Sequence, residues 1–272
     1  MAAEETPLSE IVEIVEHGTV RELRLARPPV NALSPALIAA LAAAIAPPAG
    51  AGAPGALVLS GAPGIFSAGL DLPRLLHVDR AGIAELWHAF YALLRGLAAS
   101  PLPVVAAITG HSPAGGAVLA LYCDVRIMAA GDFRIGLNEV RVGLPLPPVI
   151  LAAMRRQVGP RLAERMCASG ALVTPEEALR IGLVDELAPP AQVVERAIAV
   201  ARDLAALPRA AMSETRRRAR ADLVALFDGV AGAEVPALLD SWFSAEAQTT
   251  MRDVVEKLSR GKAHGREARP SS

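Results

Sequence analysis

Two short runs, Ala56–Leu59 and Val104–Thr109, limit what this chain can fold into. Each is nearly all apolar and bounded by turn residues, and between them Ala81–Leu97 places apolar residues at helical spacing. Apolar runs of this length without alternation fit strands buried in a core. Such strands need a chain long enough to cover them. At 272 residues and 53% hydrophobic content the chain can form one large domain, or a domain with an appendage. Aromatic residues make up only 3%, so the core must be built mostly from Ala, Leu, Val and Ile.

Ile11–Val15 and Val20–Leu25 are β-rich and flank His17-Gly18, the pattern of a hairpin. Pro35 to Ala46 reads as a helix inside a span, Arg27 to Asp71, with no charged residue between its ends. That helix is shorter than the roughly 20 residues needed to cross a bilayer. The Pro- and Gly-rich residues 47–55 break it, so a buried helix followed by a loop is the better reading. Val125–Met128 and Phe133–Ile135 are further strand candidates. Thr174-Pro175-Glu176-Glu177 predicts a helix start, with Thr174 as N-cap, Pro175 at the first position and Glu177 closing a capping box. Gly182 ends that helix, Leu183-Val184 starts a short strand, and Val193–Ala206 is helical. Beyond Leu207-Pro208 no convincing strand occurs and the periodicity is helical to about Leu258. Arg260–Ser272 is polar and expected to fray. The predicted fold class is α/β. Residues 1–205 form a body of ββα-like units wound into a spiral, and residues 206–272 form a C-terminal α-helical segment.

A net charge of -1 gives no electrostatic reason to expect nucleic acid or an anionic membrane as partner. Arg216-Arg217-Arg218 with Arg220 is the one dense basic run, and it reads as a solvated helix face. Cys123 and Cys167 are far apart, which fits reduced thiols better than a disulfide scaffold, and no metal-ligand spacing occurs. The acidic start, Met-Ala-Ala-Glu-Glu-Thr, resembles neither a signal nor a transit peptide, so the expected location is cytoplasmic.

Chemistry enters at residues 110–124, where a small-residue loop runs into an apolar helix. Gly115 and Gly116 stand at the helix start, where free N–H groups and the positive end of the dipole favour negative charge. Lacking a Cβ, glycine lets a ligand approach the backbone. A second segment, Phe66-Ser67-Ala68-Gly69-Leu70-Asp71-Leu72, looks built to supply another donor. Each segment alone is also what a glycine turn packing a helix on a sheet would look like.

Taken together, the two segments resemble the crotonase (enoyl-CoA hydratase/isomerase) superfamily. Val30-Asn31-Ala32-Leu33-Ser34, Cys123-Asp124-Val125-Arg126-Ile127 and the stretch from Glu176 to Val184 fit the same family in the same order. The resemblance covers roughly residues 10–200. It implies that the backbone N–H groups of Leu70 and Gly115 hold a thioester oxygen, with Ala68, Gly69, Asp71 and Leu72 at the substrate. Removing a proton next to a thioester places charge on the carbonyl oxygen, and each preorganised donor is worth on the order of 3 kcal/mol.

Phe133-Arg134-Ile135-Gly136-Leu137-Asn138-Glu139 ends in a carboxylate. A lone Glu after a strand is usually a surface residue, but the resemblance implies that Glu139 reaches the substrate carbons as acid and base. Asn138 is either a turn residue or a group that orients the ligand. Gly-Leu-Asn-Glu and Ser-Pro-Ala-Gly-Gly resemble the mitochondrial-type 3,2-trans-enoyl-CoA isomerases. Hydratases of the superfamily carry a second Glu where this chain has Val118. Val118 lies three residues after Gly115 and shares its helix face. Valine cannot activate water, whereas shifting a double bond needs none. Val118, Leu137, Val142 and Leu144 are expected to wall Glu139 and raise its pKa toward the operating pH. The residues from Val140 to Pro148 hold no carboxylate for dehalogenase-type chemistry, and their prolines depart from the isomerase pattern.

The expected activity is therefore conversion of 3-enoyl-CoA to 2-trans-enoyl-CoA in fatty acid β-oxidation, with CoA arriving as part of an acyl-CoA thioester and no separate cofactor or metal. The resemblance further implies a homotrimer or dimer of trimers, with the C-terminal helices covering the acyl pocket and aiding assembly. Trp242 and Phe243 read as packing anchors there, His111 as structural, and Cys123 as core. The basic run at Arg216 has CoA phosphates as its alternative reading. Another crotonase reaction such as hydration, and a non-catalytic acyl-CoA-binding protein, remain the competing readings.

Overall fold

The structure is a computed structural model that describes residues 11–46, 53–229 and 233–267, with side chains to residue 260. The chain opens with a hairpin, β1 (Val12–His17) antiparallel to β2 (Val20–Leu25), with His17 opposite Val20 across a two-residue turn. Gly18 sits in that turn at φ 71°, a conformation that glycine adopts without strain. Helix α1 (Pro35–Ile45) follows, and the Ser34 hydroxyl accepts from the Leu37 N–H as its cap.

Three strand pairs then repeat one pattern. β3 (Ala56–Ser60) leads to β4 (Gly64–Ile65), β5 (Val104–Ile108) to β6 (Gly110–Pro113), and β7 (Val125–Ala129) to β8 (Ile135–Gly136). The first member of each pair joins a six-stranded sheet of order β1-β2-β3-β5-β7-β9, with β9 spanning Glu186–Ala188 and every pairing after the hairpin parallel. The second member joins a three-stranded parallel sheet, β4-β6-β8. After β4 come α2 (Leu72–Leu75) and α3 (Arg80–Ala99), after β6 comes α4 (Gly115–Leu121), and after β8 a 3-10 turn, Glu139–Val142. This is the anticipated winding of ββα units.

The apolar runs are continuous because both faces of the large sheet are covered. Leu57, Leu59, Val104, Ala106 and Ile108 face the main core with α1, α3 and α4. Val58, Val105, Ala107 and Ile127 face the other way, under Ala197 and Ala201 of a later helix, Val193–Ala205. Before that helix come α5 (Pro148–Val158), α6 (Pro160–Ser169) and α7 (Pro175–Arg180), so it is α8. Then follow α9 (Arg209–Ala219), α10 (Ala221–Ala225), α11 (Val235–Trp242) and α12 (Ala245–Glu267). Leu223, Trp242, Ala247 and Met251 bury themselves in the main core, so this helical tail shares the body's interior. No helix of the described residues is long and apolar enough to cross a membrane.

Several local expectations need correction. Phe133 and Arg134 lie outside β8, which starts at Ile135. Leu183-Val184 is a buried turn after α7, and the strand forms three residues later, where Ile127–Ala129 offers a parallel edge. Thr174 does cap α7, accepting from the Glu177 N–H at 3.3 Å, but the Glu177 carboxylate turns to Arg180 instead of closing the box. α12 continues helical through the segment expected to fray from Arg260, as far as Glu267; residues 47–52 of the expected loop and 268–272 of the tail lie outside the described residues.

The basic run is only half solvated. Arg217 and Arg218 pair with Glu214 on the exposed face. Arg216 and Arg220 are buried and both grip Asp124, at 2.9 and 2.6 Å. Arg216 also donates to the carbonyls of Leu97, Ala98 and Ser100, which close the end of α3, and Arg220 to that of Tyr122. Breaking a buried pair strands the remaining charge and its carbonyl partners. Arg216→Ala is therefore expected to lower the unfolding free energy by about 3–5 kcal/mol, read from urea denaturation, while Arg217→Ala leaves it within about 0.5 kcal/mol.

Candidate active site

The loop between β4 and α2 is held on both sides. Phe66 N–H donates to the His111 carbonyl, and Ala68 N–H to that of Val30. Leu33 N–H donates to the Gly69 carbonyl at 2.7 Å, and Asp71 N–H to the Leu33 carbonyl at 3.2 Å. This bridge turns the groups of residues 69 and 71 toward Leu33, so the N–H of Leu70 points the opposite way. It donates to no group among the described residues.

The loop entering α4 packs directly on that segment. A Cβ on Gly69 would lie 2.9 Å from both Ala114 Cβ and the Gly115 nitrogen. On Gly116 it would come 2.4 Å from the Ser67 carbonyl oxygen. Side chains at these positions would push the loops apart. Ala114 N–H donates to the Gly136 carbonyl and ties the loop to β8. Ala114 itself adopts φ 48°, ψ −124°, which sets the plane of the peptide carrying the Gly115 N–H. That N–H, at the first position of α4, also has no partner among the described residues.

Glu139 begins the 3-10 turn after β8. Its Oε2 is buried without a hydrogen-bond partner, and so is Oδ1 of Asn138. Burial without compensation pushes the Glu139 pKa up to about 7, against a smaller opposing pull from its own backbone N–H. Gly143 closes the turn at φ 79°, and a Cβ there would stand 2.9 Å from the Ala247 Cα, so α12 rests on the turn's far end.

These parts converge on a cavity of about 570 Å³. Leu70, Gly115, Glu139, Asn138, Ala68, Asp71, Leu72 and Val118 all line it. Gly69 does not; it lies behind the wall, against Ala114 and Gly115. Val142 and Leu144 are on the wall as anticipated, while Leu137 is turned into the core. Two carboxylates face the cavity. Asp71 is spoken for by Arg27, at 2.6 Å, which leaves Glu139 as the unpaired one.

Other features fall outside the site. Trp242 is fully buried core, and Phe243 is partly exposed with Arg80 over its ring. The Cys123 thiol is buried and pushed up to about 12, which leaves it inert. His111 accepts from the Arg134 N–H and meets the edge of Phe133. Arg216 and Arg220 are consumed by Asp124 and backbone carbonyls, away from the cavity. Among the described residues no group of three potential metal ligands forms.

Sequence reasoning named none of Arg27 beside Asp71, Trp87 and Phe90 on α3, or Val254, Val255 and Leu258 on α12, although the resemblance implied that C-terminal helices cover the acyl pocket. Nothing local marks them. The apolar stripe of α12 reads equally well as core.

The comparisons agree with this architecture. Residues 16–259 match the family described as enoyl-CoA hydratase/isomerase. The chain is 37% identical to mitochondrial enoyl-CoA delta isomerase 1 of Mus musculus over 217 residues, covering 78% of this chain and 75% of that protein. With the Rattus norvegicus counterpart identity is 44% over 147 residues, 54% of this chain and 51% of that protein, so the match spans about half of that relative's length. A probable enoyl-CoA hydratase of Mycobacterium avium is 34% identical over 214 residues, covering 77% of this chain and 83% of that one. The crystal structure of human mitochondrial delta3-delta2-enoyl-CoA isomerase superposes with a TM-score of 0.85 at 31% identity, over 93% of this chain and 99% of that one. With the glycine-loop pair, the two-sheet spiral and this match in hand, the chain belongs to the enoyl-CoA hydratase/isomerase family of crotonase-fold enzymes.

Proposed function

We propose that this family member is an isomerase, converting 3-enoyl-CoA to 2-trans-enoyl-CoA within fatty acid β-oxidation. The observation that carries the reading is one unpaired, near-neutral carboxylate, Glu139, sharing an apolar cavity with two free N–H donors and with Val118. The likeness to isomerases named above supports it. A hydratase-named relative at 34% identity keeps hydration as the alternative, but Val118 supplies no second group to activate water.

In this mechanism the thioester carbonyl oxygen accepts from the Leu70 and Gly115 N–H groups. Ala68 and Leu72 shape the wall beside it, Gly69 gives the backbone its close approach, and Asp71 holds Arg27. Asn138 orients the ligand. Glu139 takes a proton from C2, the C2–H electrons form the C1–C2 double bond of a dienolate, and the carbonyl π electrons move onto the held oxygen. As the carbonyl re-forms, the C1–C2 electrons become the C2–C3 double bond, and the electrons of the C3–C4 double bond take the same proton from Glu139 at C4. Proton and charge balance with no water consumed and no group needed beyond the CoA of the substrate. A homotrimer or dimer of trimers is the assembly proposed.

Glu139→Gln removes the base and keeps the shape. It is expected to lower kcat by at least about a thousandfold while the acyl-CoA dissociation constant changes little. Purified protein given 3-enoyl-CoA should form the conjugated 2-enoyl-CoA, and given 2-enoyl-CoA should form almost no 3-hydroxyacyl-CoA. Rapid hydration without isomerisation would overturn the assignment.

The pKa of about 7 makes two pH statements. The base must be ionised, so log kcat/KM should fall with decreasing pH below an apparent pKa near that value, and not near the ordinary 4.5. Stability runs the other way. Below pH 4.5 Glu139 is protonated whether the chain is folded or unfolded, and it carries no penalty. Between pH 4.5 and about 7 the unfolded chain ionises while the folded chain keeps its proton, so stability falls by on the order of 3 kcal/mol and the loss is complete above 7. Glu139→Gln should therefore raise Tm near pH 8 and leave it unchanged near pH 4, measured by scanning calorimetry.

A further inference from the structure

Among the described residues only two non-glycine positions have positive φ, Asn31 and Ala114, both at 48°. Backbone of this kind persists where surrounding structure holds it, and it clusters at functional sites. Ala114 immediately precedes Gly115. Asn31 lies far from Leu70 in sequence and touches its loop. We propose that Asn31 is a positioning residue for the Leu70 N–H, tying the chain around residues 27–33 to the loop at 66–71 from a left-handed backbone. This rests on the isomerase reading, in which that N–H holds the thioester oxygen.

Asn31 is 1% exposed and every polar group on it is used. Its N–H donates to the Arg27 carbonyl at 2.8 Å, and its Oδ1 accepts from the Arg27 N–H at 3.0 Å, which closes the turn on itself. Its Nδ2 donates to the Phe66 carbonyl at 3.0 Å. Its carbonyl accepts from the Ser67 hydroxyl at 2.8 Å, and that hydroxyl accepts from the Gly69 N–H at 3.2 Å. The turn thus grips residues 66, 67 and 69 in succession. Two residues further on, Leu33 bridges Gly69 and Asp71 and leaves the Leu70 N–H turned to the cavity. Asparagine suits the post because it tolerates the left-handed region and carries a donor and an acceptor on one short side chain. An aspartate would set an acceptor against the Phe66 carbonyl, and an alanine would keep the strain without the bonds.

Asn31→Gly keeps the left-handed turn accessible and deletes both side-chain bonds. We would measure kcat and KM on 3-enoyl-CoA, Tm, and the carbonyl stretch of a bound saturated acyl-CoA by isotope-edited infrared difference spectroscopy. Donors on the oxygen lower that frequency. The expected result is a kcat lower by roughly tenfold to a hundredfold, KM within about threefold, and a stretch moved back toward its value in water. A folded variant with wild-type kcat and wild-type stretch overturns the proposal, since an anchor of the fold alone would move only Tm. Should Asn31→Gly not fold, Ser67→Ala removes the relay from Asn31 to Gly69 and is read in the same way. If the wild-type protein lowers the stretch yet does not isomerise 3-enoyl-CoA, the functional reading fails while the stretch of the variant still decides the role of Asn31.

Discussion

The contact between the loop at 66–71 and the start of α4 is what the rest of the site depends on. Gly69, Gly115 and Gly116 bring two backbones within van der Waals distance, where a single Cβ would come 2.4 to 2.9 Å from its neighbours. Bare backbone at a helix start is only a generic anion site. It becomes specific when a second N–H is fixed beside it, and the three-stranded sheet does this. β4 and β6 bring the two loops side by side, while β8 anchors the second through the Ala114 N–H. The small sheet adds little core of its own; it sets the register of two loops.

Glu139 shows the complementary principle. A carboxylate is normally stabilised by donors, and the pairing of Asp71 with Arg27 a short distance away follows that rule. Glu139 has no more than its own backbone N–H, its Oε2 has no donor, and Val142 and Leu144 share its cavity wall. Its environment disfavours the charged form enough to place its pKa near neutrality, where a group can both take and return a proton. Folding tolerates this because the remainder of the core is large, and because the other buried charges are paired: Arg216 and Arg220 with Asp124, Arg126 with Asp185, and Glu22 with Arg24.

Much of this was legible in the chain because burial writes itself into composition. β3 and β5 are covered on both faces, so their runs are apolar without interruption, and the hairpin and the helices α1, α3 and α7 carry their own turn and cap residues. The small sheet left no such trace: its strands are two to four residues long and are made by backbone pairing, with residues such as Gly64, His111 and Ser112 that no strand pattern would select. Long-range pairing was equally silent. Arg216 reads as one member of a basic helix face until Asp124, 92 residues away, is seen to be its partner. At the site the glycines and Glu139 were readable through the resemblance. Arg27 and Asn31 were not singled out, since the need for an Asn at a left-handed turn shows only when the loop it grips is in view.

The cavity's far wall completes the argument about water. Val254, Val255 and Leu258 of α12 line the cavity together with Trp87 and Phe90 of α3, and the start of the same helix rests on Gly143, the end of the turn that presents Glu139. One element therefore lines the cavity with aliphatic side chains and also supports the turn in which burial raises the pKa of Glu139. Hydration chemistry requires a water and a second group to activate it, and here the position one helical turn beyond Gly115 holds Val118, which can activate none. The absence of a carboxylate on α4 and the apolar side chains of α12 on the same cavity both favour chemistry that consumes no water over hydration.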